Sequence, residues 1–306
     1  MSPIRGFCQI FVLCACSYSV SAIAAQVTTE VKARIRIVDD YMIIVPVTIN
    51  GSGPYDLVLD TGSNHTILDQ ELADELKLRR GGETTIWGAR ASEASSAIYL
   101  DSLSIAGATV AGKDLALFTR PNLRGYPRKV RGFLGEDFLQ KFDVLIDYRH
   151  MVIQLEPGPG SLAETLLGEH LPIQLNGSLG GIRTFGRLIV TAQARDLGEN
   201  SLSLLLDSGT HTLALFRKSL GVGSYRQTFV DPSASRQSSI TALETRTVPN
   251  LKLGRSEITD IMVIALGGHS HADVDGLMPT SLFHSIFISH QGRFVILNPS
   301  FPKANR

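Results

Sequence analysis

Leu57-Val58-Leu59-Asp60-Thr61-Gly62-Ser63 and Leu204-Leu205-Leu206-Asp207-Ser208-Gly209-Thr210 are two copies of one pattern. In each, an apolar run ends in aspartate, a hydroxyl residue, glycine and a second hydroxyl residue. A short apolar run bounded by turn formers reads as a buried strand. A carboxylate at the end of such a strand is costly unless it is hydrogen-bonded or shares a proton. Asp, Ser and Gly on their own also make ordinary β-turns. Turn chemistry does not explain why the arrangement recurs in a matching frame, so the two aspartates are read as one unit.

Working outward, the repeat extends over most of the chain. Tyr41-Met42-Ile43-Ile44-Val45-Pro46-Val47 and Gly186-Arg187-Leu188-Ile189-Val190-Thr191-Ala192 precede the two motifs, each followed by a turn. Downstream, Leu103-Ser104-Ile105-Ala106-Gly107 pairs with Leu251-Lys252-Leu253-Gly254, and Gly132-Phe133-Leu134-Gly135 with Gly276-Leu277-Met278-Pro279. Strand-like alternation from Val144 to Leu155 and from Ile286 to Leu297 closes the halves at Pro157 and Pro299. Two long repeats indicate duplicated lobes, where a solenoid needs three or more shorter ones. The expected organisation is a signal peptide at 1–24, an N-terminal lobe at 26–157, a linker at 158–170 opened by Pro157-Gly158-Pro159-Gly160-Ser161, and a C-terminal lobe at 171–306. Helical pattern is scarce. One helix is expected over Asp69–Leu78 with Asp69 as N-cap. Another is expected from Glu136 through Phe138, Leu139 and Phe142.

The chain has 306 residues, 43% hydrophobic and 19% charged, enough for two cores. Lys+Arg and Asp+Glu both number 29, so there is no basic footprint for nucleic acid. Arg5, the apolar stretch Phe11–Cys16 and Ala22-Ile23-Ala24-Ala25 read as a secretory leader cleaved after Ala24 or one residue later. A second reading takes Leu13-Cys14-Ala15-Cys16 as a lipobox with Cys16 as the lipid anchor. Either way the expected location is periplasmic or secreted. Cys8, Cys14 and Cys16 are the chain's 3 cysteines, so cleavage after Ala24 leaves none to form disulfides.

These motifs resemble the aspartic proteases of the pepsin/retropepsin superfamily, and within it bacterial retropepsin-like sequences, here in tandem. The resemblance rests on the D-[TS]-G-[ST] motif in both halves, the element Phe133-Leu134-Gly135, and the strand Phe142-Asp143-Val144-Leu145-Ile146-Asp147-Tyr148. It implies a mostly β, bilobal, pepsin-like fold: two similar β-barrel-like lobes with short helices and a cleft between them. It also implies that Asp60 and Asp207 form a catalytic dyad for peptide hydrolysis, with no cofactor and no metal. Two adjacent carboxylates share one proton, so the ionised one activates water while the protonated one donates to the scissile carbonyl. Gly62 and Gly209 let the backbones approach closely. By the same likeness Thr61 and Ser208 cross-brace the loops, and Ser63 and Thr210 bond the outer carboxylate oxygens. A hydroxyl donating to a carboxylate favours its charged form, which gives an expected acid-leaning pH optimum.

The expected partner is a protein or peptide bound as an extended strand. Flaps are expected at Ile86–Ser96, around Trp87 and Gly88, and at Asp231–Ser239. Since both aspartates lie on one chain, dimerisation is unnecessary and a monomer is expected. The sequence departs from the family at Pro279, where glycine is usual, at Ser208, where threonine is commoner, and in the lack of an identifiable flap tyrosine. An exported peptide-binding scaffold that has lost catalysis is the alternative, favoured only by Pro279. His65 and His211, just past the motifs, read as structural residues or as modulators of the dyad's charge. Arg120, Arg124, Arg128, Lys129 and Arg131 read as a solvated loop or as a guide for acidic peptides. His269-Ser270-His271-Ala272-Asp273 lacks flanking elements to fix a metal.

Overall fold

Alternating and β-branched runs form strands in both halves, and the same local topology is built twice. The computed structural model describes residues 30–87, 92–115, 117–120, 123, 126–158, 160–179, 182–217, 219–229, 241–267 and 274–302. The expected leader, Cys16, the second flap and the cluster 269–273 all lie outside these residues.

In the first half, strand Met42–Ile49 runs antiparallel to Ser52–Leu59, with Ile44 opposite Val58. The latter runs parallel to Val130–Leu134, which is antiparallel to Ile67–Asp69. In the second half, Ile182–Ala194 pairs antiparallel with Glu199–Asp207. That strand runs parallel to Gly276–Pro279, which is antiparallel to Leu213–Leu215. Each aspartate strand is therefore central, with an antiparallel partner on one side and a parallel one on the other. This explains the continuous apolar runs before the aspartates: Leu57, Leu59, Leu204 and Leu206 are 0% exposed. Truncating one such leucine to alanine costs about 2–5 kcal/mol.

A third sheet of six strands joins the halves in the order Val31–Arg34, Val152–Pro157, Phe142–Asp147, Ser285–Ser289, Phe294–Leu297 and Leu171–Pro172. Its middle pair sets Val144 opposite Ile288. One large apolar core runs through both halves, including Val144, Ile146, Ile286 and Ile288. The molecule is mostly β, with the pepsin-like arrangement of two similar sheet-built lobes expected from the sequence.

The short helices are smaller than their sequence pattern suggests. Helix α1 is Gln70–Glu75, capped as expected by the Asp69 carboxylate, which accepts from Glu71 N. The expected extension to Leu78 is cut at Lys77, whose φ of 50° is left-handed. Helix α2 is a single turn, Glu136–Leu139, and Phe142 opens a strand instead of continuing it. Segment 158–170 contains helix α3, Leu162–Thr165, whose start is held by the Glu156 carboxylate accepting from Ser161 N and Leu162 N at 2.8 Å. Leu167 pairs with Ser300 in an isolated bridge. Among the described residues no helix is long and apolar enough to cross a membrane.

Candidate active site

The two aspartate strands end at the same place, and their tips are tied to each other symmetrically. Thr61 Oγ1 donates to the Leu206 carbonyl at 3.0 Å and accepts from Ser208 N at 3.0 Å. Ser208 Oγ donates to the Leu59 carbonyl at 2.7 Å and accepts from Thr61 N at 3.0 Å. Both hydroxyl residues are 1% exposed, so these four bonds are made away from water. Serine replaces the commoner threonine at 208 without losing any bond of the brace.

This brace brings the glycines against the opposite carboxyl groups. A Cβ on Gly62 would sit 2.5 Å from Asp207 Cγ, and one on Gly209 would sit 3.0 Å from Asp60 Oδ1. Gly62 takes no side chain while Asp207 stays in place, and a side chain at Gly209 would press tightly on Asp60. Asp60 Oδ1 accepts from Gly62 N at 3.0 Å, and Asp207 Oδ1 accepts from Gly209 N at 2.7 Å. Each carboxyl group thus lies against the glycine of the opposite loop, which sets the two side by side. Two carboxyls held this close share a single proton, because like charges at that range disfavour double ionisation.

Both groups are held above the ordinary carboxylate range. For Asp207 the cause is burial first and the charge of Asp60 second; Gly209 N–H and the Arg187 charge pull the other way. For Asp60 it is burial, opposed by the Gly62 N–H, the bond to Asp207 and the Ser63 N–H. The pair titrates as a unit and keeps one proton well above the pH at which an isolated aspartate loses it.

Ser63 and Thr210 do not act as the family likeness implied. Ser63 Oγ donates to the His65 carbonyl at 2.8 Å, and Thr210 Oγ1 donates to the Thr212 carbonyl at 3.4 Å. Each hydroxyl closes its own tight turn on a carbonyl two residues on. The basis for an acid-leaning optimum is thereby removed.

The remaining candidates are distributed around this centre. Trp87 ends the strand Arg79–Trp87, paired in register with Ser92, so the first expected flap falls on a hairpin; Gly88 lies outside the described residues. His65 packs edge-on against Phe118 at 4.9 Å, and burial lowers its pKa. His211 lies 5.2 Å from the Tyr41 ring, across the halves. The basic run is not a uniformly solvated loop. Arg120 makes a two-point ion pair with Glu93 of the hairpin at 2.9 and 2.8 Å. Arg131 bonds Asp69 and Glu75. Arg128 and Lys129 are exposed, and Arg124 lies outside the described residues. Among the described residues no group of His, Cys, Asp and Glu is placed to hold a metal.

Sequence reasoning missed Tyr126 and Tyr41. Both pack on the apolar cluster of Met42, Ile44, Val58, Val130 and Phe133. The Tyr126 ring meets Phe133 edge-on at 4.9 Å, and its hydroxyl pKa is raised by burial and then by the charge of Asp60. Tyr126 lies in a Pro- and Arg-rich stretch that reads as a surface loop, so no sequence signal marks it. Pro279 sits opposite Asp207 in the parallel register, with φ −62° and ψ 130°. That is backbone proline adopts without strain.

Comparison with known proteins agrees with this architecture. Residues 45–138 match the family model described as aspartyl protease. A search of the curated proteins finds no match. Among solved structures, an aspartic proteinase from Irpex lacteus is 13% identical, with a TM-score of 0.53 over 90% of this chain and 99% of its own. A retropepsin-like aspartic protease from Rickettsia conorii is 19% identical, with a TM-score of 0.32 over 42% of this chain and 92% of its own. The chain thus has the fold of the pepsin/retropepsin superfamily, and its residues 45–138 carry the aspartyl protease family pattern.

Proposed function

We propose that the protein is an aspartic endopeptidase in which Asp60 and Asp207 form the catalytic dyad. The observation that carries this reading is the pair of aspartate carboxyl groups set side by side at the tips of two cross-braced loops, each against the other's glycine. The pair holds one proton. Its ionised member takes a proton from a water molecule, which attacks the peptide carbonyl carbon. The protonated member gives its proton to the carbonyl oxygen, forming a tetrahedral gem-diol. Collapse of that intermediate returns a proton to the departing nitrogen, and the dyad regains its starting state. The substrate lies as an extended strand between the lobes, beside the half-buried rings of Tyr41 and Tyr126. The leader pattern supports export to the periplasm or beyond, and the presence of both aspartates in one chain supports action as a monomer.

Burial raises both carboxyls and neither neighbouring hydroxyl lowers them, so the singly protonated dyad extends toward neutral pH. A digest of a diverse peptide library, read by mass spectrometry, tests the reading. Wild type cleaves, and Asp60→Asn and Asp207→Asn each lose activity by about a thousandfold or more, in keeping with loss of acid–base catalysis. Undiminished cleavage by either folded variant overturns the mechanism.

A further inference from the structure

A second buried polar group lies behind the dyad. Glu136, the first residue of α2, is 0% exposed, and His290, in the turn after strand Ser285–Ser289, is 5% exposed. His290 Nε2 lies 2.9 Å from Glu136 Oε2, and its Nδ1 lies 2.6 Å from the Phe142 carbonyl. A carbonyl only accepts, so Nδ1 carries a hydrogen. The contact between Nε2 and the carboxyl then also needs a proton, held on one side or the other. Removing that proton sets the Nε2 lone pair against a carboxylate at a buried position. Glu136 Oε1 has no hydrogen-bond partner among the described residues, and Oε2 bonds His290, which helps to offset the cost of burying this carboxyl.

Glu136 also touches the dyad loop through its backbone. Glu136 N donates to the Ser63 carbonyl at 2.9 Å and Asp137 N to the Asn64 carbonyl at 3.1 Å. Thr66 Oγ1 donates to Asp137 Oδ1 at 2.7 Å. The residues just past Asp60 are thus seated on α2, and α2 is seated on a side chain from the other half of the chain.

The second half has a related contact. Thr280 follows Pro279 as Glu136 follows Gly135, and Tyr148 stands as far before Pro157 as His290 stands before Pro299. The hydroxyls of Tyr148 and Thr280 bond at 2.6 Å. Each half therefore grips the segment behind the other's aspartate from the same position in the repeat. One grip is neutral; the other carries a titratable proton.

We propose that His290 is a positioning residue for Asp60, acting through its proton-bridged bond to Glu136, which fixes α2 and the loop Ser63–Thr66 against the second half. The charged groups around this bond are Asp137 on α2, Asp60 at the strand tip, Asp143 on the strand Phe142–Asp147, and Arg187 beside Gly186, which packs on Glu136. Burial lowers the His290 pKa, but Glu136 and the Phe142 carbonyl raise it more, leaving it above the usual histidine value. Burial, with the charges of Asp137 and Asp60, raises Glu136 more than His290 lowers it. Both shifts favour retention of the bridging proton, and the grip loosens as pH rises through the raised values.

The kinetic arm of the test rests on the peptidase reading; the hydrogen-exchange arm does not. His290→Ala is expected to lower kcat at least tenfold with KM within twofold, and to speed amide exchange at Glu136 and Asp137. His290→Gln keeps a side-chain N–H for Glu136 but cannot titrate. It should restore kcat to within about threefold and remove the rise in exchange at those amides as pH increases beyond that of free amides. A folded His290→Ala protein with wild-type exchange at Glu136 and Asp137 overturns the inference. So does lowered stability with unchanged kcat in the folded enzyme. If wild type cleaves no peptide, the proposed function fails while the exchange data still decide this point.

Discussion

The two aspartate loops have nearly the same front and quite different backs. At the front, Thr61 and Ser208 make matching pairs of bonds to the opposite strand. Behind the first loop, Gly135 admits close packing: a Cβ there would lie 2.5 Å from the His65 backbone carbon. The following turn of helix then donates two N–H groups to the loop. Behind the second loop stands Pro279, and among the described residues no backbone bond runs from Thr280 or Ser281 to Ser208–Thr212. The first aspartate is clamped locally by its own half. The second is held by the brace, by the strand register that sets it opposite Pro279, and by the bond of Tyr148 to Thr280 behind it. A duplicated chain needs both carboxyls in one position but only one loop docked on a helix, which is why proline is tolerated in one copy.

The brace gives the largest expected effect and tests how symmetric the fronts are. Thr61→Val strands the Leu206 carbonyl and Ser208 N–H; Ser208→Ala strands the Leu59 carbonyl and Thr61 N–H. Each change leaves two buried backbone groups unpaired, at about 1–3 kcal/mol per group. Denaturant unfolding should show nearly equal losses for the two variants. The double variant should fall short of their sum, because the hydroxyls act within one network. Losses differing by more than about 2 kcal/mol would show that one loop dominates the joint.

The backs should be unequal. Gly135→Ala forces a methyl group into the His65 backbone and should destabilise by about 1–3 kcal/mol, with matching loss of activity as the Asp60 loop moves. Pro279→Gly meets no clash but removes a buried ring as well as the fixed φ, so it should cost about 1–3 kcal/mol of stability without a matching loss of activity in the folded enzyme. Activity of the folded variants separates the two, and a larger activity loss at 279 would reverse the assignment of which loop depends on its back.

The front was legible in the sequence and the back was not. Apolar runs ending in Asp-Thr-Gly and Asp-Ser-Gly mark central strands because such strands are buried on both faces, and the family likeness supplied the brace. Asp69 announced α1 because an N-cap is a local event. Contacts set by tertiary geometry left no such trace. Glu93 and Arg120 lie 27 positions apart, and Glu136 and His290 lie 154 apart. Phe142 continued the apolar spacing of α2, but its place opposite Pro157 in the joining sheet outweighed a helical preference of one turn. The destination of the Ser63 hydroxyl was misread for a related reason: a rotor chooses among nearby acceptors by turn geometry, which residue type does not encode.

That hydroxyl yields the smallest expected effect, in which the two loops should again agree. Were Ser63 or Thr210 donating to its carboxylate, the bond would favour the charged form and hold the pKa down. Removing it would then raise that pKa and move the acid limb of the kcat/KM profile to higher pH. Both hydroxyls instead donate to carbonyls within their own turns, His65 and Thr212. Ser63→Ala and Thr210→Ala should therefore leave the acid limb within about 0.3 pH units of wild type, at a stability cost of about 0.5–1.5 kcal/mol for one hydrogen bond each. An upward shift in only one variant would assign that carboxylate as the group titrating on the acid limb, and so split a pair that now appears equivalent at its front.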